Sequence, residues 1–285
     1  MKPIIRSAFA NRENYLADTP VDKTALKHWL VDNLGFYCSY CEIPLSGHEV
    51  EHHTYYKAWQ SQIRAKDLDH LLLICKDCRD HITKEELSQE EHDNMLWPDK
   101  DVTFALHAKS PFTYEQRTVR HIVLHEDDIH LNEEKNLVFV APNPLAGEET
   151  YRKAKNTIDH FQLNMQKEYY NDASNTLIMP LDHYQQHIDN RTFERTKTWA
   201  EAVAAMERLQ QLETQLEGTS LTMVREHLLD QISTTAYFKG NWSVWMTVFN
   251  NYIPNNHPLL HRLFISDTRY FKNIDTEKLG LNFKP

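Results

Sequence analysis

All four cysteines of the 285-residue chain fall into one pattern: Cys38 and Cys41, then Cys75 and Cys78, two C-x2-C pairs with 33 residues between them. A C-x2-C turn brings two thiols toward a common point, and two such turns supply the four sulfur ligands of a tetrahedral Zn²⁺ site. Two other chemistries use paired cysteines. A redox dithiol accounts for one pair and leaves the second unexplained. A disulfide framework belongs to oxidising compartments, whereas Met1–Arg6 lacks the apolar core of a secretory leader. Structural zinc held by Cys38, Cys41, Cys75 and Cys78 is therefore the expectation. The interval between the pairs exceeds the usual ribbon spacing, so something is inserted between the two knuckles.

That insert has a definite order. Glu42–Val50 reads as strand, turn and strand with Gly47 at the turn, and Glu51-His52-His53 follows. A polar stretch runs to Asp69-His70 and leads into Leu71-Leu72-Leu73-Ile74 and the second knuckle; Arg79–Lys84 then opens a helical stretch reaching about Asn94. Knuckle, hairpin, acid–His pair, connection, knuckle and helix make a ββα arrangement with its ends pinned by zinc. The chain has 17 histidines, so an acid next to a histidine is not rare in it. Position between the knuckles is what singles out Glu51-His52. His53 reads as packing and His48 as an exposed hairpin tip. His125, His130 and Asp127-Asp128 read as a solvated acidic loop between strands.

Residues 37–84 resemble an HNH (ββα-metal) endonuclease with a zinc knuckle, whose pattern is C-x2-C, an acid–His strand, an asparagine before a leucine-rich strand, and C-x2-C followed by His or Asn. Further along, Phe36–Glu42, Trp97-Pro98-Asp99, Phe112-Thr113-Tyr114 and the segment from Ala154 through Thr157, Ile158, Phe161 and Leu163 to Asn164 are similar to the HNH subunit of Septu-type anti-phage systems, relatives of which accompany some retrons. The likeness covers roughly residues 30–170. It implies an endonuclease acting on nucleic acid, with DNA the expected substrate, beside an ATPase subunit of a defence complex, and products with 5′-phosphate and 3′-hydroxyl ends.

Carried onto this chain, the resemblance makes Glu51 a ligand of a catalytic Mg²⁺ or Mn²⁺ and His52 the general base. A neutral imidazole takes a proton from water near pH 7, and one hard divalent ion on oxygen donors neutralises charge at phosphorus and at the departing oxygen. Neighbouring strand positions face opposite sides, so the pair needs local twist to act together. Two positions depart from the pattern. His70 stands where the family has the asparagine that orients the catalytic histidine. Arg79, a permanent cation that cannot ligate metal, stands directly after the fourth cysteine. His81 is then the nearest substitute ligand, His70 the substitute orienting group, and Arg79 a contact for substrate phosphate. The expectation is a rewired site; the alternative is a zinc-stabilised adaptor whose nuclease site has decayed.

The elements that must position these residues read as α+β: a zinc-pinned ββα module, a small β segment and a C-terminal helical region. The boundaries fall at 1–100 for an N-terminal helix plus the knuckle module, 101–149 for an acidic β-rich segment, and 150–285 for a helical, partner-docking region. Asp22 caps a helix ended by Gly35. Val102–Leu106, Arg120–Leu124 and Leu137–Val140 alternate as short strands. Apolar positions from Thr150 to Ala173 give a helix, and Trp199, Val203, Met206, Leu209, Leu212 and Leu216 recur at helical steps from Thr192 to Glu217, with Gly218 as the stop. Ser220–Ile232 reads as the partner helix. The aromatic-rich end (Phe238, Trp242, Trp245, Phe249, Tyr252, Phe264) suits either a core or a partner anchor.

Charge narrows the function. The net charge is −10, and residues 86–150 hold 14 acidic and 5 basic side chains, a net −9. Phosphate contacts dominate nucleic-acid affinity, so a chain without a basic patch must bind weakly or borrow a partner's basic surface. No apolar run approaches the length of a membrane span, and no Walker phosphate loop or glycine-rich dinucleotide turn occurs. The expectation is a soluble cytoplasmic protein with no membrane partner.

Overall fold

The structure, a computed structural model, describes residues 1–4, 23–45, 51–54, 71–75, 77–79, 88–106, 109–126, 128–164, 169–182, 191–215, 218–252, 257–265 and 273–279. It is an α+β protein. Helix α1 (Lys23–Leu34) buries Leu26, Trp29, Leu30 and Leu34 and ends at Gly35, whose φ of +83° and N–H bond to Val31 O make it the left-handed cap. The first knuckle follows at once. Strands β1 (Glu51–Thr54) and β2 (Leu71–Ile74) form an antiparallel ribbon, and all four side chains of β2 are buried. Asp77–Arg79 are helical. The short helix α2 (Gln89–Asp93) opens on a capping box between Ser88 and Glu91.

Strands β3 (Phe112–His125) and β4 (Asp128–Pro142) form a long hairpin with a bulge at Val123/Leu124. After helix α3 (Glu148–His160) come β5 (Tyr170–Asn171) and β6 (Thr176–Pro180), which complete a sheet of order β4-β3-β6-β5 with β6 parallel to β3. The C-terminal part consists of α4 (Arg191–Gln215), α5 (Gly218–Lys239), α6 (Trp242–Tyr252) and α7 (His257–Phe264). Among the described residues no helix is long and apolar enough to cross a membrane.

Three buried clusters hold this together. One joins α1, the cysteine knuckles, β2, Met95–Trp97 and α3; a second joins α4 to α7 with Phe104; the third lies on the sheet around Val119, Val123, Leu137, Phe139, Leu177 and Met179. Tyr114 packs against both the first and the second.

Several expectations change. Val102–Leu106 is irregular backbone, because Phe104 is buried against Trp242 at 5.3 Å rather than in a sheet; the alternation there reflects docking onto the helices. The helix expected from Thr150 ends at His160, where Phe161 turns into the core. Gly218 opens α5 instead of merely closing α4, and α5 runs on to Lys239. The buried stripe of α4 begins with Arg191, Thr192, Arg195 and Thr198, so half of it is polar, and Trp199 and Val203 are only half-buried. The terminal aromatics divide: Trp242, Trp245, Phe249 and Phe264 are core, whereas Phe238 and Tyr252 are exposed. The Asp22 cap and the Gly47 turn lie outside the described residues.

Candidate metal centre

Each knuckle is built on backbone hydrogen bonds. In the first, Cys38 N–H donates to Ile43 O at 3.0 Å and Glu42 N–H to Cys38 O at 3.0 Å. Glu42 takes a φ of +63° to close that turn, a conformation that costs a non-glycine residue about 1 kcal/mol. In the second, Arg79 N–H donates to Cys75 O at 3.0 Å and Cys78 N–H to Cys75 Sγ at 3.4 Å, so Cys75 sits at the start of a helical turn with a donor already aimed at its sulfur. Ser39 N–H donates to Leu73 O at 2.9 Å and binds the first knuckle to β2.

The two knuckles bring the four sulfurs within 4.8 Å of one another, and Cys41 Sγ lies 3.6 Å from Cys75 Sγ. Four thiolates at about 2.3 Å from one Zn²⁺ stand about 3.8 Å apart along the tetrahedral edges, so the cluster is compatible with that ion. Burial opposes ionisation of Cys38, but hydrogen bonds from the thiols of Cys41, Cys75 and Cys78 overcome it and hold its pKa well below the ordinary value. Burial and the shared hydrogen bonds push Cys41 well above its usual value, and its bond with Cys38 leads the same shift at Cys78. Metal ligation requires the thiolate form of these cysteines, which couples metal uptake to proton release.

Around the sulfurs the packing is aromatic. Tyr40 stacks on Phe161 at 4.2 Å, and Trp97 meets Phe161 edge-on at 6.0 Å. Trp97 is fixed by its indole N–H to His92 O at 3.0 Å and its backbone N–H to Asp101 Oδ2 at 2.8 Å. Leu96 N–H donates to Thr157 Oγ1 at 2.9 Å. Asn164 accepts from Val140 N–H and donates to Val140 O, both at 2.8 Å, which closes the outer edge of β4.

Of the remaining site residues, Glu51 and His52 lie on β1 opposite Ile74 and Leu73, which sets the acid–His pair beside the strand that delivers Cys75. Arg79 is helical and half-buried one residue after Cys78. His70, His81 and His48 lie outside the described residues. His125 ends β3, and Asp128 and His130 lie on β4, all three exposed in the paired strands where a loop was expected. Among the described residues the four cysteines are the one group of metal-ligating side chains.

Two residues at this centre were not visible from the sequence. Glu42 is buried, and its carboxylate Oε2 accepts from Ser243 N–H at 3.0 Å and Ser243 Oγ–H at 2.6 Å while its carbonyl accepts from Asn241 N–H at 2.9 Å. An anion thus sits on the first turn of α6, where the helix dipole favours it. Tyr114 O–H donates to Ser243 Oγ at 2.5 Å, and its burial, with Glu42 nearby, pushes its phenol pKa upward. The second is Arg191, whose guanidinium reaches Cys78 Sγ at 3.5 Å. Both contacts join positions more than 100 residues apart, and no local pattern announces them. Comparisons with protein-family models, curated proteins and solved structures find no match to this chain.

Proposed function

We propose that the chain is a metal-dependent HNH-type endonuclease in which the four cysteines hold a structural Zn²⁺ and β1 carries the hydrolytic residues. One observation carries the reading: Glu51 pairs with Ile74, the residue before Cys75, so the acid–His strand runs beside the metal-pinned strand and ahead of the helical turn at Asp77–Arg79. In this reading His52 takes the proton from the attacking water, Glu51 and His81 hold Mg²⁺ or Mn²⁺, His70 orients His52, and Arg79 meets a substrate phosphate. The divalent ion supplies charge neutralisation at phosphorus and at the departing oxygen. The net −9 of residues 86–150 supports a division of labour in which an ATPase subunit of an anti-phage complex supplies the grip on DNA.

A second reading, a zinc-stabilised adaptor, is favoured by the exposed Met223, Val224 and Phe238 on α5. Cleavage of supercoiled plasmid with Mg²⁺ or Mn²⁺, comparing the purified protein with His52→Ala, separates the two. Cutting by the parent alone supports the nuclease. Equal cutting by both removes His52 as the base. Absence of cutting by either, with the ATPase partner present as well, supports the adaptor.

A further inference from the structure

Helices α4 and α5 leave a cleft where two like faces meet. Glu201, Ala204, Ala205 and Arg208 recur at steps of three and four on α4, and Leu228, Gln231, Ile232 and Thr235 do the same on α5. Helix faces ordinarily interdigitate where they pack. Here two adjacent alanines are too short to fill the space, and a cavity of about 550 Å³ remains, with the fully buried Trp245 of α6 at its floor. That volume is typical of a small-molecule site.

Two polar atoms of the lining residues have no hydrogen-bond partner among the described residues, the indole Nε1 of Trp245 and Oε2 of Glu201. A buried indole N–H ordinarily has one. Glu201 Oε1 pairs with Lys239 Nζ at 2.8 Å, which fixes the carboxylate and leaves its other oxygen open. The cleft therefore offers one neutral donor and one anionic acceptor, and its complement is a ligand edge with one acceptor beside one N–H donor. Adenine carries that pair at N7 and its exocyclic amine, and cytosine carries it at N3 and its amine. The side chains of Ala204, Ala205, Leu228 and Ile232 suit the faces of a flat ring. Arg208 stands seven residues from Glu201 on the same face, about 10 Å along the helix axis. It is exposed and in no ion pair among the described residues, which suits a phosphate group at the mouth. Asp230 and Gln231 also line the cleft and offer acceptors for sugar hydroxyls.

We propose that this cleft binds a mononucleotide whose base carries an exocyclic amine, with the base at Glu201 and Trp245 and the phosphate at Arg208. The site belongs to α4, α5 and α6, and it rests on neither the zinc reading nor the hydrolytic one.

Titration calorimetry of the full chain with AMP and CMP, compared with the deaminated IMP and UMP and with the nucleosides adenosine and cytidine, tests the assignment. AMP or CMP is expected to bind with a stoichiometry of one per chain. IMP and UMP set a carbonyl against the Glu201 carboxylate and should bind at least about tenfold more weakly, the contribution of one hydrogen bond to a charged group. Arg208→Ala should weaken nucleotide binding by a similar factor, about tenfold, and leave nucleoside binding unchanged. Ala204→Leu fills the cleft and should abolish binding without lowering the melting temperature. Where the leucine variant does not fold, the exposed Arg208→Ala substitution carries the test alone. Absence of binding by both AMP and CMP at millimolar concentration overturns the proposal. So does equal binding of the deaminated nucleotides, or parent-like nucleotide affinity in a folded Ala204→Leu or in Arg208→Ala.

Discussion

Replacing Gly240 with alanine tests how the knuckle is seated on the helices. Gly240 follows the last residue of α5, with φ +68° and its N–H on Ala236 O at 3.1 Å. A Cβ there would lie 2.4 Å from Glu42 O and 2.8 Å from Pro44 Cδ, overlapping backbone and a ring that cannot rotate away. The left-handed backbone alone costs alanine about 1–2 kcal/mol. Relief of the overlap must move the knuckle from α6, which weakens the Asn241 N–H bond to Glu42 O, about 1 kcal/mol, and the Ser243 bonds to the buried carboxylate, about 1.5–3 kcal/mol. The expected loss is about 3.5–6 kcal/mol by those terms. Gly35 provides the control: its φ is +83°, but an added Cβ meets the half-buried Tyr37 ring at 3.1 Å, a contact that a movement of a few tenths of an ångström relieves. Gly35→Ala should therefore cost about 1–2 kcal/mol, the backbone term alone. Urea unfolding of both variants with saturating Zn²⁺ gives the comparison. A Gly240→Ala loss no larger than that of Gly35→Ala would refute the docking of the knuckle between α5 and α6.

Two further outcomes follow from the centre and the sheet. Stripping the metal with a strong chelator, or Cys75→Ser, is expected to reduce bound zinc below one per chain and to lower the melting temperature by about 10 °C, since a loss of about 3–4 kcal/mol moves a domain this large by a few degrees per kcal/mol. Metal analysis with scanning calorimetry measures both, and a fully loaded, equally stable Cys75→Ser would count against the cluster as a metal site. His121 is buried on β3, and burial, reinforced by the Lys135 charge, lowers its pKa below 6.5 despite Glu133 at 3.7 Å. The unfolded chain then binds the proton more readily, so the His121 contribution is fully present above pH 6.5 and is lost as pH falls toward the lower folded value. Unfolding followed from pH 7.5 to 5 should show a decline that His121→Phe flattens; an unchanged slope would remove His121 as its source.

The local parts of this fold were legible because local chemistry determines them. Gly35 marks the end of α1, four consecutive apolar residues mark β2, and helical periodicity marks α4. The failures are non-local. Val102–Leu106 has the alternation of a strand, but alternation records which side chains are buried, and here Phe104 is buried against Trp242 of α6. Strand β6 joins the sheet parallel to β3 across about 55 residues of chain, a crossover that no turn signal marks. The polar half of the α4 stripe is unmarked for a related reason. Arg191 and Arg195 join no apolar periodicity, yet they are buried because carbonyls and a cysteine sulfur from elsewhere in the chain meet them.

The same distinction governs the centre. Spacing alone is enough to bring four thiols together, since each C-x2-C turn folds on its own backbone hydrogen bonds. Spacing does not say what holds the two turns at one distance from each other. That is supplied from both sides by the C-terminal helices: Ser243 and Asn241 receive the first knuckle through Glu42, and Arg191 reaches the second through Cys78. An isolated N-terminal part cut near residue 100 would keep its four cysteines and lose both contacts. Its metal should consequently be held more weakly than in the whole chain, with the centre and the helical part stabilising each other as one cooperative unit.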